Sequence, residues 1–141
     1  MYQYNITKGL TAFEGMPEQE ECTLLLLTSE ELDRLPNLPG LEPVLSHTPN
    51  ARDARVCKAE PRRNCLAGTI VTPRHTKDGI PISFGYLLTP KWVVLCDDSG
   101  TAHGMVQRLS KENPHKEYSA GSFFYGFLEL LIAKDLHYLQ E

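Results

Sequence analysis

Few residues of this 141-residue chain are spaced for chemistry. The histidines, His47, His75, His103, His115 and His137, are scattered, and only Asp135 and His137 stand close enough to suggest a metal pair. On a helix those two side chains point about 160° apart, so one ion does not readily take both. Cys22, Cys57, Cys65 and Cys96 show no CxxC spacing and argue against a zinc site. Ser46, His47 and Asp53 are the residue types of a hydrolase, with only nearness in sequence to join them. Asp97 and Asp98 end an apolar run, where two carboxylates could meet a divalent cation; a hydrated turn is the simpler reading. GxGxxG, a Walker-type GK[ST], HExxH and GxSxG are all absent. These residues do not describe an enzyme.

The C-terminal stretch FFYGFLELLIAKDLHYLQE, Phe123 to Glu141, is more informative. Set out at about 100° per residue, Glu129, Lys134, His137, Gln140 and Glu141 share a polar arc. Phe124, Leu128, Leu131, Ile132, Leu136 and Leu139 fill the opposite arc. Asp135 lies in the middle of that apolar arc, in line with Leu128 and Leu139. An unpaired buried carboxylate is very costly. Asp135 therefore needs a partner, either inside the domain or in something added to it, such as a cation or a neighbouring subunit.

The elements that would position these residues can be read along the chain. YQYNI, Tyr2 to Ile6, alternates as a strand does. Residues 8–21 suit a loop or hairpin. CTLLLLT, Cys22 to Thr28, is a continuous apolar run and predicts a strand buried on both faces. Thr28 with Glu31 forms a capping box, so a helix begins there and ends before Pro36. The proline-rich segment that follows is loop, with one helical turn around Pro43 to Ser46. Arg55 to Glu60 alternates weakly. Arg52, Arg55, Lys58, Arg62 and Arg63, interrupted by Asp53 and Glu60, suit a solvated loop. CLAGTIVTP is a strand, and Asp78-Gly79 signals a hairpin turn. ISFGYLLT and WVVLCD are strands joined by a tight turn at Thr89-Pro90-Lys91. Thr101 to Glu112 is helical, with Met105, Val106 and Leu109 on one side. Ser119 caps the last helix. This order predicts an α/β (α+β) fold: a mixed, partly antiparallel β-sheet between helical layers, with a long C-terminal helix.

Composition fits one globular domain over residues 1–141: 41% hydrophobic, 23% charged and a net charge of −4. No basic face is evident, which argues against nucleic acid. The start, MYQYNITKG, lacks a basic region followed by an apolar run, so no signal peptide is expected. No stretch approaches the roughly 20 apolar residues that span a bilayer. Cys22 and Cys96 lie in strand-like apolar runs as small hydrophobes, which suits free thiols in a reducing cytoplasm.

The order NCLAGTIVTP, ISFGYLLTPKWVVLCDD and SAGSFFYGFLELLIAKDLHYLQE, within Ala59 to Glu141, resembles the cytosolic N-terminal domain of the CorA-like divalent-cation transporters. The resemblance implies that the last helix leads into a stalk, followed by two transmembrane helices with a Gly-Met-Asn pore signature. Here Gly15-Met16 is followed by proline and Gly104-Met105 by valine, so this chain would be the domain truncated before its stalk and membrane helices. It further implies a homopentamer at the cytoplasmic face of a bacterial cell membrane, and Mg²⁺ between cytosolic domains favouring a closed pore, with Co²⁺ as another candidate ion. Asp135 matches the family's carboxylate in the last helix. Ser46-His47 falls where the family has a Glu-Asp pair, and Asp53 is close in sequence, so Asp135 and Asp53 are the expected metal residues. The alternative is a soluble assembly or protein-binding module without an ion-sensing role.

Overall fold

Every residue of Thr23–Leu27 is buried, and so are five of the six residues of Trp92–Asp97. The computed structural model, which describes residues 1–17, 20–34, 41, 45–72 and 82–140, with 132–140 as backbone only, shows why. These segments are the third and seventh strands, β3 and β7, and they pair in parallel at the centre of a seven-stranded sheet. The others are β1 (Tyr2–Asn5), β2 (Thr11–Phe13), β4 (Lys58–Arg62), β5 (Cys65–Val71) and β6 (Ser83–Leu88). The order across the sheet is β2-β1-β3-β7-β6-β5-β4, and every pair except β3–β7 is antiparallel.

Side chains alternate across this sheet. Leu24 and Leu26 of β3, Val93 and Leu95 of β7, and Phe84 and Tyr86 of β6 share one core. That core is closed by two helices, α2 (Thr101–Glu112) and α3 (Ala120–Gln140). They contribute Met105, Val106 and Leu109, and Phe123, Phe124, Phe127 and Leu131. Leu25, Leu27, Trp92, Val94 and Cys96 form a second core on the other face. A short helix, α1 (Ser29–Asp33), covers it through Leu32, together with Leu41, Leu45 and Ala51, which opens a 3-10 turn (Ala51–Asp53). The expected mixed sheet between helical layers is present, and its second layer is thin and loop-rich.

Local signals hold where the chemistry is local. Both halves of the Thr28–Glu31 capping box form, with Glu31 N donating to Thr28 Oγ1 at 3.2 Å and Thr28 N to Glu31 Oε1 at 3.0 Å. Ser122 N donates to Ser119 Oγ at 3.1 Å at the start of α3. Trp92 N donates to Thr89 Oγ1 at 2.9 Å, pinning the β6–β7 turn. Leu45 N donates to Leu41 O at 2.9 Å, in the region of the helical turn expected around Pro43 to Ser46, of which Pro43 and Val44 lie outside the described residues. Asp78-Gly79 also lies outside them. Within residues 8–21 the hairpin reading holds: β2 folds back on β1, with Asn5 opposite Thr11.

The basic segment departs from its reading as a loop. Lys58–Arg62 is an exposed edge strand, with Arg62 opposite Cys65 across a two-residue turn at Arg63 and Asn64. Asn64 takes φ 67°, a left-handed conformation that asparagine tolerates better than most residues. Main-chain pairing with β5, not burial, makes this a strand, so the sequence shows it only as the weak alternation of Arg55 to Glu60. Lysine, arginine and Pro61 are also what keeps an edge strand from pairing with foreign chains.

Two tests follow from the packing. A Cβ on Gly85 would lie 1.7 Å from the Pro49 carbonyl oxygen and 2.7 Å from its carbon, so the 48–50 segment rests directly on β6. Gly85→Ala is expected to cost at least about 2 kcal/mol, read as a lower Tm, since backbone must shift. An unchanged Tm would mean that this segment is not seated on the sheet. Glu21 accepts from Lys8 Nζ at 3.0 Å and from the Asn5 side-chain amide, and these bonds, Lys8 first, hold its carboxyl below the usual pKa. A depressed carboxylate stabilises above the unfolded-state pKa and loses that contribution as pH falls through the folded value. Glu21→Gln is therefore expected to lower Tm at neutral pH, with the difference from wild type shrinking below the ordinary carboxylate range. A pH-independent difference would show that Glu21 contributes by packing alone.

Candidate functional site

The parallel pair ends at one rim of the sheet. There β3 runs into α1, which covers one face, and β7 runs into α2, which covers the other. Neighbouring parallel strands whose following helices diverge open a crevice at their carboxyl ends, the usual place for a ligand in α/β sheets. The crevice here has a volume of about 280 Å³. Leu26, Leu27 and Leu95 supply its apolar surface, and Glu31, Asp97 and Asp98 its acidic groups.

Asp97 and Asp98 turn to different helices. Asp98 Oδ1 accepts from Ser29 N and Oδ2 from Ser29 Oγ, both at 2.7 Å. Asp97 Oδ1 accepts from Ser99 N at 2.9 Å, and Oδ2 from Ala102 N at 2.9 Å. Each carboxylate thus satisfies backbone donors in the first turn of a helix and sits favourably in its dipole. The hydrated-turn reading becomes more specific: this pair ties both helices to the end of β7. Neither has an ion-pair partner among the described residues, although the positive charge of Arg52 is near Asp98.

One wall of the crevice is aromatic. The Tyr2 ring stacks on His103, with centroids 3.8 Å apart and planes 9° from parallel. His103 Nε2 lies 3.1 Å from the Tyr4 hydroxyl, so the first strand is locked to the first turn of α2. Glu31 is engaged already, since its Oε1 accepts from Thr28 N at 3.0 Å and its Oε2 meets the Met1 ammonium at 2.6 Å. Behind Asp98, Ser29 Oγ lies 3.7 Å from Cys96 Sγ. Burial pushes the Cys96 thiol up, and the Cys22 thiol to about 11, so both act as the small hydrophobes expected of them. All four cysteines are free.

The residues singled out in the sequence do not converge. Asp53 closes the 3-10 turn and is exposed, beside Arg52, which pairs with Asp33. Ser46 and His47 are exposed on the same covering segment, and no hydrogen bond joins them to Asp53 among the described residues. Asp135 belongs to α3, on the opposite side of the sheet, and its side chain lies outside the described residues. The sheet stands between the segment carrying Asp53 and the helix carrying Asp135. Among the described residues, no group of three or more His, Cys, Asp and Glu side chains is gathered as for a metal ion. No helix among them is long and apolar enough to cross a membrane. Sequence reasoning missed the Tyr2–His103 wall. Its components are 101 positions apart, and only the placement of β1 beside β3 brings them together.

No family model matches the sequence, and no curated protein does. The fold finds a counterpart in the CorA magnesium transporter of Methanocaldococcus jannaschii, with a TM-score of 0.63 at 13% identity. The match covers 91% of this chain and 43% of that one, so the chain spans less than half the length of its structural counterpart. At that identity the likeness is one of architecture: the mixed sheet and helices described above form a CorA-like fold.

Proposed function

We propose that this chain is the cytosolic domain of a CorA-like divalent-cation transporter, regulating cation passage through a pore formed elsewhere in the full-length protein. The observation that carries the reading is the fold match, which takes in nearly the whole chain. The motif order that resembles the family maps onto β5, β6–β7 and α3, the elements that build the core over α2 and α3. In this reading the domain faces the cytoplasm, assembles as a homopentamer, and passes Mg²⁺ occupancy to the pore by a population shift, the ion binding one subunit arrangement better than another. Asp53 and Asp135 are its candidate ligands. Because the sheet separates their elements within one chain, an ion held by both would have to bridge two copies. Mg²⁺ keeps several waters and accepts few protein oxygens, which suits such a bridge.

The test is cation flux through the full reading frame that contains this chain, purified and reconstituted into liposomes. Mg²⁺ or Co²⁺ uptake is expected, suppressed by millimolar Mg²⁺ on the domain side, with the suppression lost in Asp135→Ala. Absence of flux would overturn the transporter reading. Flux with unaltered suppression in both Asp135→Ala and Asp53→Ala would overturn their role as ligands. One observation favours a second reading, a protein-binding module. Tyr125 on α3 is 66% exposed, and Leu128 and Leu130 on the same helix are only partly buried. A reading frame that ends without apolar spans, in a protein that co-sediments with a partner through Tyr125, would favour it.

A further inference from the structure

We infer that copies of this chain associate head to tail, the β2 edge of one sheet against the β4 edge of the next. β2 and β4 are the outermost strands, and no further strand among the described residues covers either. Traced through the successive pairings, Ala12 stands level with Pro61 and Phe13 with Glu60. The same pairings make β2 and β4 run in opposite directions. A copy displaced sideways therefore meets its neighbour with two antiparallel edges at one height, the arrangement in which edges join.

The two edges carry opposite charge at both ends of this overlap. On β4, Lys58 and Arg62 share one carboxylate, Glu60, at 3.2 and 3.5 Å. Arg55 donates only to the backbone carbonyls of Arg52 and Ala54, and Arg63 has no partner among the described residues. At β2, the exposed Glu14 directly follows Phe13. The exposed Glu20 precedes Glu21, which accepts from Asn5, opposite Thr11 at the other end of the strand. Neither Glu14 nor Glu20 has a partner among the described residues. Antiparallel apposition brings the Glu14 end of β2 to Arg55 and Lys58, and the Glu20 end to Arg62 and Arg63. Each edge also exposes one large apolar side chain, Met16 at 65% and Val56 at 62%. Both belong to the Glu14 end of the overlap.

The same charges select against the other pairings. β4 against β4 sets lysine and arginine beside their own kind, and β2 against β2 does so with glutamate. The charges that turn away foreign and like edges admit an acidic one. What remains is a heterologous contact, the kind that closes into a ring when its rotation allows. A homopentamer needs such a contact, and these edges supply its surfaces without any role for an ion. Main-chain bonding across it is sparse, because β2 has three residues and Pro61 has no N–H. The attraction is therefore mainly electrostatic, weak and screened by salt.

The experiment follows the ¹⁵N-labelled chain by NMR from micromolar to millimolar concentration at low ionic strength. A rising rotational correlation time is expected, with amide shifts on both edges, at Ala12 and Glu14 and at Ala59 and Arg63. Both effects should vanish in about 1 M NaCl, where the Debye length is about 3 Å. Two variants then exchange the charges. Arg62→Glu with Arg63→Glu makes both edges acidic, and Glu14→Lys with Glu20→Lys makes both basic. Each variant alone should associate about tenfold more weakly than wild type, since like charges now meet. Their equimolar mixture should recover association, because each acidic edge then finds a basic one. All four positions are exposed, and unchanged core amide shifts would show that the variants are folded. A wild type whose correlation time is independent of concentration overturns the inference and leaves the flux test of the transporter reading standing. Association that survives salt overturns its electrostatic basis. Shifts confined to one edge overturn the head-to-tail arrangement, and a mixture no stronger than its parts overturns the pairing of these charges. Should a variant fail to fold, the wild-type titration decides by itself.

Discussion

The parallel pairing of β3 with β7 is the constraint from which the rest of this fold is built. Its register sets Leu25 beside Val94 and Leu26 beside Leu95, so both faces of the pair are hydrocarbon. Neither face can be left to water, and each needs its own cover. On one side α2 and α3 provide it; on the other α1 and the segment around Leu45 and Ala51 do. Parallel neighbours also need a long connection. Among the described residues the connection holds three strands, and β5 and β6 return from it as an antiparallel meander that extends the sheet beyond β7.

The same pairing places two helix starts side by side. Three oxygens of two consecutive side chains, both of Asp98 and Oδ2 of Asp97, join β7 to both helices, while Asp97 Oδ1 holds Ser99 in the turn before α2. A residue without a side-chain acceptor at either position would leave a helix N–H group without its partner. These carboxylates are therefore structural, and their charge also sets the character of the recess they border.

The two covers of the sheet also keep the two carboxylates singled out in the sequence on separate elements. Asp53 and Asp135 issue from opposite covers. The last helix, with the exposed Tyr125 on an otherwise apolar segment, is the element of the described structure best suited to reach beyond its own domain.

Much of the architecture was legible in the sequence. The TLLLL run announced a doubly buried strand. The Thr28–Glu31 and Ser119 caps fixed where two helices begin, and Thr89-Pro90-Lys91 fixed a hairpin. These signals are local: each depends on residues within one turn or one strand. Strand β4 showed only as the weak alternation of Arg55 to Glu60, because an exposed edge is made by backbone pairing and carries little apolar pattern. The crevice was not legible, since Tyr2, Leu26, Asp98 and His103 meet only after distant strands pair. Sequence alone determined most of the helices and the buried strands, and which faces had to be buried, because hydrophobic periodicity and capping act over a few residues. Only the tertiary structure decided that β3 lies beside β7, that Asp97 and Asp98 serve two helices, and that Asp53 and Asp135 stand on opposite sides of the sheet. Strand order depends on which buried faces can be covered together, and no short stretch of the chain encodes that choice.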